Sequence, residues 1–407
     1  MKKQVRIFLA FSILFMVVGL LDGVFRLMAR ENIKTSVFTG IYGFHPLLVV
    51  FGFIAVIIMT ERVASFTTLE SFSARRRSVL SLMVPFTVLG TLLVTTGISL
   101  SSVLLSYSGV LFLLIGSTLF IATLKLLSDL SSMKTSFRFM ILSGIDLWVS
   151  ELLSPVFGVT YPVGYDMLLL SFPVIFIIGE RIELTRFISQ GYSENQFRTS
   201  LALYAMSAAL FMLSLPFPMV TYRYMLVAAG IILMAIGTAS VYGTERRNLS
   251  ILSRSAMPLQ RYVSMHTRIA YAWLFLGLIL SLVYLLSFGS VDTHDVFIHS
   301  IAVGFVLTMI LAHGPIIMPT VAGRRLKTDR FSPVPLLLLT AGNAVRGGGG
   351  IVQLFASIPI NRILIGLSGW PVFAALIIFM LEVMMRSEKS VSNGTKETAK
   401  GRTDIRP

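Results

Sequence analysis

The chain contains no cysteine. That single absence excludes disulfides, thiolate metal sites, iron–sulfur ligation, covalent C-x-x-C-H haem attachment and cysteine nucleophiles. Charge is also scarce: 13% of the 407 residues are charged, against about 25% in an ordinary soluble domain. A water-soluble globular protein is therefore excluded. Soluble-enzyme motifs are missing as well, with no P-loop, no G-x-G-x-x-G after a strand and no H-E-x-x-H. Histidine occurs only five times and never as an adjacent pair.

What remains is apolar. Hydrophobic residues make up 55% of the chain and the mean hydropathy is +0.83. A bilayer core of about 30 Å needs roughly 20 apolar residues per helix. Twelve such runs are predicted: 6–28, 37–60, 78–99, 103–127, 136–157, 163–180, 199–216, 221–243, 266–288, 294–318, 332–357 and 364–385. The eleventh is interrupted by Arg346 and the run Gly347 to Gly350. Only Ser-rich residues separate the third from the fourth, which predicts a tight hairpin. The start, Met1-Lys2-Lys3, imitates a signal peptide, but the apolar run after it is too long for an h-region and reads as an uncleaved first helix.

The formal charge of +15 is a topology signal, not a nucleic-acid surface. With the N-terminus inside, 28 of the 34 Lys and Arg fall on the inner side and 6 on the outer. That is the positive-inside bias of twelve spans with both termini cytoplasmic. The expected fold is an all-α integral membrane protein of the cell membrane, with a twelve-helix domain over 1–386 in contact with the lipid bilayer. Residues 387–407 are polar and free of aromatics, which predicts a disordered cytoplasmic tail. Its sequon at Asn393 carries no meaning on that side. Glu61-Arg62, Glu180-Arg181, Glu245-Arg246 and Arg324-Arg325 recur at inner helix ends without a fixed period. They read as charges marking the lipid headgroups.

Ionisable residues inside spans are costly and mark candidate sites. His45 lies about eight residues below the outer end of the second run and His299 about five below that of the tenth, so at about 1.5 Å per residue they sit within roughly a turn of each other in depth. His299 and His313 are fourteen residues apart, nearly on one helix face and about 21 Å apart along the axis. Two imidazoles on one face, one towards each leaflet, is how membrane b-type cytochromes hold two haems. An outer His45–His299 pair and an inner His266–His313 pair follow as candidate ligand sets. The other reading of each is a helix-to-helix hydrogen-bonding or interfacial histidine. His294, between Asp292 and Asp295, reads as a solvated or capping residue of an external turn.

Fewer other polar groups enter the membrane. Asp22 and Arg26, four apart, are expected to pair. Asp146 and Glu151 suit a proton path or buried hydrogen bonding. Arg346, followed by four glycines that admit close approach, suits an anionic partner such as a haem propionate, or else a salt bridge to Asp146 or Glu151.

At these residues the chain resembles the NnrS family, polytopic proteins distantly like the haem-copper oxidase large subunit. The resemblance lies in Gly43-Phe44-His45-Pro46 followed by Phe51-Gly52-Phe53, in His299-Ser300-Ile301-Ala302-Val303-Gly304 with the later Gly323-Arg324, and in Val345-Arg346-Gly347 and Gly366-Leu367-Ser368-Gly369-Trp370. It implies a membrane protein that binds haem and copper and acts in nitric-oxide response or respiratory electron handling. His45 and His299 match the family's ligand positions, and His313 is additional to its pattern. Where the family carries two histidines in the second helix this chain has one, so a copper site of several imidazoles is short of donors. The functional expectation is one or two b-type haems, with His45, His299, His313 and His266 as ligand candidates and Arg346 on a propionate. A respiratory redox partner and no nucleic acid complete it. The alternatives are a haem-free secondary transporter and a scaffold subunit of a membrane cytochrome complex.

Overall fold

The computed structural model describes residues 2–33, 44–67, 73–132, 134–157, 162–185, 194–217, 219–286, 291–322, 324–326, 332–356, 358–385 and 387–389. Among these, the chain forms twelve helical columns. They are α1 (Lys2–Arg30), α2 (45–67), α3 (74–99), α4 (Val103–Leu130), α5 (Lys134–Phe157), α6 (Val163–Thr185), α7 (Glu194–Ser214), α8 (Val220–Ser253), α9 (Pro258–Leu286), α10 (291–322), α11 (Val334–Phe355) and α12 (359–385). Each overlies one predicted apolar run. Ten are long and apolar enough to cross a membrane. The two others are α6, with Asp166, Glu180, Arg181 and Glu183, and α11, with Asn343, Arg346 and its glycines. The protein is an all-α, multi-pass membrane protein.

Local chemistry sets the helix ends. Asn32 adopts φ 60° just past α1, and Ile33 N–H donates to Met28 O at 2.9 Å, a left-handed cap that closes the last turn. Ser73 and Ser102 cap α3 and α4 by accepting from the N–H groups of Arg76 and Leu105. The α3–α4 link is as tight as expected. Hydroxyls within α3 are satisfied by their own helix: Thr87, Thr91, Thr95 and Ser99 each donate to the carbonyl four residues back. A polar stripe is thereby carried through an apolar setting without unmet donors.

Burial divides the columns into two classes. In α2 and α10, 89% and 78% of the apolar window is enclosed, against 39–50% in the other eight spans. Nearly all of α6 is enclosed too. These three columns pack against one another at the centre. Around them, α1 lies on α2, α5 on α6 and α9 on α10, while α3–α4, α7–α8 and α11–α12 pair as hairpins and α12 returns to α1. The bundle is thus three groups of four columns in chain order, each group giving its second column to the centre. Exposed Leu104, Leu111, Met225, Ile232, Ile236 and Ile279 lie on the outer columns, where apolar atoms suit lipid.

The only strands among the described residues are Arg324–Leu326 and Ser387–Lys389, paired antiparallel and tying the end of α10 to the end of α12. The first three residues of the predicted disordered tail are therefore placed. The rest of it, with Asn393, lies outside the described residues, as do 37–43 of the second predicted run and Gly323 of the family-like motif.

Candidate functional site

In the orientation read from the sequence, a cavity of about 340 Å³ opens between α1, α2, α6, α10, α11 and α12 near the outer end. His45 and His299 both line it. Their rings stand 6.2 Å apart, centroid to centroid, with planes inclined by only 9°. The depth arithmetic from the sequence therefore brought together two residues 254 positions apart.

Each ring is held by its Nδ1. His45 Nδ1 lies 2.6 Å from Gly19 O and His299 Nδ1 lies 2.8 Å from Asp295 O. A carbonyl only accepts, so both Nδ1 atoms carry the proton and both Nε2 atoms keep a lone pair. The buried Asp22 carboxylate of α1 lies beside the backbone N–H groups of Phe44 and His45 at the start of α2. Among the described residues no close ion pair joins Asp22 to Arg26: Arg26 acts on the carboxylate only through space, and Asp22 Oδ2 has no hydrogen-bond partner. Arg26 faces the cavity instead. Gly23 closes the arrangement from α1, since a Cβ there would stand 2.6 Å from His45 Cε1 and Nδ1.

Both histidine columns are irregular just past the histidine. Residues Leu48–Ala55 of α2 and Ser300–Leu307 of α10 are π-helical, with the wide i→i+5 turns that recur at functional sites. Phe51, Phe53, Phe305 and their neighbours in these turns are buried among the central columns.

Arg346 enters the same cavity, and its ion pair is with Asp295 rather than with Asp146 or Glu151. It holds Asp295 bidentately, Nε and Nη2 each donating at 2.7 Å, and Arg30 approaches the same carboxylate at 3.5 Å. Two of the four glycines after Arg346 serve packing: a Cβ on Gly350 would meet the Val296 side chain of α10, and one on Gly349 the Ile365 side chain of α12. Asp146 takes a hydrogen bond from Ser171 at 2.6 Å, and Glu151 is fully buried beside Ser117. His294, expected in a solvated turn, instead reaches Asp166 on α6 at 2.7 Å. Asp295 and Asp166 are the site residues that sequence reasoning missed. Signals existed for both: Asp295 lies four residues before His299 on one helix, and Asp166 is an ionisable residue inside the sixth predicted run.

The inner histidines do not form a second pair. His313 is buried, but its Nε2 meets Arg181 Nη1 at 3.2 Å and its Nδ1 meets Met309 O. His266 turns its Nδ1 to Tyr262 O at 2.9 Å and lies against the Tyr262 ring, centroids 3.8 Å apart. No ring contact joins His266 to His313 among the described residues.

A site of this kind belongs to an all-α, multi-pass membrane protein with an imidazole pair in an enclosed, cation-rimmed cavity. Residues 6–387 match the family model described as Domain of unknown function (DUF8744), and the chain belongs to that family. No curated protein matches the chain.

Proposed function

We propose that the chain is a twelve-span, NnrS-like haem protein of the cell membrane, both termini cytoplasmic, that holds one b-type haem between His45 and His299. The observation that carries this reading is the ring pair. With metal–nitrogen bonds of about 2.0–2.1 Å and a ring centroid roughly 1.1 Å behind the ligating nitrogen, imidazoles on opposite sides of one metal keep their centroids about 6.3 Å apart. The rings here are 6.2 Å apart and nearly parallel. The Nδ1–H to carbonyl bonds orient each Nε2 lone pair, as supporting hydrogen bonds to metal-binding imidazoles do. The cavity volume lies within the range of small-molecule sites, about 300–1,000 Å³.

Arg26, Arg30 and Arg346 line the cavity and suit the carboxylates of such a group, with Arg26 the one not drawn to Asp295. With its ring nitrogens on Arg181 and Met309 O, His313 lends no support to a second haem or to copper, so the reading takes one haem. When bound, haem supplies a one-electron couple and an iron centre for small gases. The chain's own residues orient it, exclude water and neutralise its acid groups. Electron transfer or nitric-oxide handling with a respiratory partner is the role that the NnrS resemblance adds.

The test is a reduced-minus-oxidised visible spectrum of the detergent-purified protein with pyridine haemochrome quantitation. One b-type haem per chain is expected, lost in His45→Ala and in His299→Ala. A flat spectrum from protein made with ample haem overturns the reading, and substrate-dependent counterflow in that preparation would then favour a transporter.

A further inference from the structure

At the opposite end of the same three central columns lies a second cluster, independent of the haem reading. Five members of the Glu-Arg dipeptides that read as headgroup markers, all but the exposed Arg246, are enclosed and pair across the columns. Arg62 of α2 binds Glu180 of α6 and stands 3.7 Å from Glu61. Arg181 of α6 binds Glu245 of α8, whose other oxygen accepts from Tyr271 of α9 at 2.6 Å. Glu61 and Glu180 meet at the same guanidinium and line the same cavity, which makes them neighbouring carboxyls. Two carboxylates offer four acceptors and no donor, so a proton on one would let them bond to each other.

The charge count demands the same proton. Arg62 and Arg181 carry two positive charges; Glu61, Glu180 and Glu245 would carry three negative ones. Side-chain exposures of 7% and 3% for the arginines, and 20%, 11% and 2% for the glutamates, place all five away from bulk water. An uncompensated charge in that setting is costly, and one bound proton makes the cluster neutral. Among the described residues, the other groups facing it leave the count unchanged. Glu183 reaches Arg62 at 3.9 Å from a side chain 30% exposed, where solvent screens it. His313 accepts from Arg181 and is neutral. α1 and α12 present only apolar side chains to the adjoining cavity.

That cavity has a volume of about 80 Å³ and is lined by Glu61, Glu180, Thr60 and His313 among apolar residues. At roughly 30 Å³ per water it has room for about two. We infer that Glu61 and Glu180 form a proton-loading site, a carboxyl pair sharing one exchangeable proton beside a water-sized chamber at the basic-loop end of the central columns. The ligand is a proton, and it belongs to the pair rather than to either residue.

The experiment is infrared difference spectroscopy of the purified full-length protein at neutral pH, in light and heavy water, for wild type, Glu61→Gln, Glu180→Gln and the double variant. Each single variant is expected to lose one protonated-carboxyl C=O band, the same band in both, with its deuterium shift. Either amide also restores neutrality, so both single variants should keep the wild-type unfolding temperature. The double variant, with an excess positive charge, should unfold clearly lower. If both single variants lose only ionised-carboxylate signal, the shared proton is refuted. Loss of fold in both single variants refutes it equally, because neutrality predicts that each is tolerated.

Discussion

Gly23→Ala tests whether the His45 ring stands where a ligand must stand. The new Cβ would lie 2.6 Å from His45 Cε1 and Nδ1 and 3.1 Å from Cγ. Ordinary heavy-atom contact is about 3.5–4.0 Å, so the ring has to retreat by about 1 Å. Metal–ligand distances tolerate deviations of about 0.2 Å, which makes that shift several times too large. Disturbing a supporting contact of a metal ligand typically costs about 10–100-fold in affinity. At about 1.4 kcal/mol per tenfold, haem binding weakens by about 1.4–2.8 kcal/mol. The fold itself should change little, because the roughly 0.5–1 kcal/mol that Gly to Ala is worth in a helix interior is offset by displacing the buried ring. The assay is haem titration of the haem-free protein, followed by optical spectra and unfolding with and without haem. Weaker binding, loss of the low-spin signature and an undiminished haem-free unfolding temperature are expected. Gly243→Ala, where a Cβ would meet nothing within 4 Å, is the control and should bind as wild type. Unchanged affinity and an unchanged low-spin spectrum in Gly23→Ala would refute the ring placement.

Further expectations concern the supports of the site. Asp295→Asn strips the carboxylate from Arg346 and Arg30, and breaking one side of such a buried pair costs about 3–5 kcal/mol, readable by chemical unfolding in detergent. Arg346→Lys forfeits the two-point grip and should recover only part of the wild-type stability in the same assay. Asp22→Ala removes the buried carboxylate beside the His45 backbone and should weaken haem binding, read by titration, more than it lowers the unfolding temperature. Tyr271→Phe deletes a hydrogen bond to Glu245 worth about 1.5–3 kcal/mol without touching the haem spectrum.

The columns were legible because a membrane demands long apolar runs, and each run returned as a helix, although α8 continues ten residues past its predicted end and α9 begins eight before its predicted start. The depth of His45 and His299 was legible for the same reason, since rise per residue converts sequence position into height. Azimuth was not. Whether Glu61-Arg62 faces lipid headgroups or Glu180 depends on which columns touch, and that is decided between residues more than a hundred positions apart. Arg346 shows the same limit: its partner Asp295 sits 51 residues away, in a stretch that looked like an exposed turn. The π-helical turns of α2 and α10 left no trace in composition, because the buried residues of a wide turn are as apolar as those of a normal one.

The central position of α6 also bears on how the protein is made. A helix that brings Asp166, Glu180, Arg181 and Glu183 is a poor candidate for leaving the insertion machinery alone, since each ionised residue at mid-membrane adds about 2.5–3.5 kcal/mol on insertion scales. Its shelter comes from α5, on which it packs, and from Arg62 of α2, made more than a hundred residues earlier. Until α6 emerges from the ribosome, Arg62 waits without Glu180; until α8 follows, Arg181 waits without Glu245. The order of synthesis thus delivers the counter-ions one after another. Truncated chains ending between α6 and α8 are where quality control should find this protein most vulnerable.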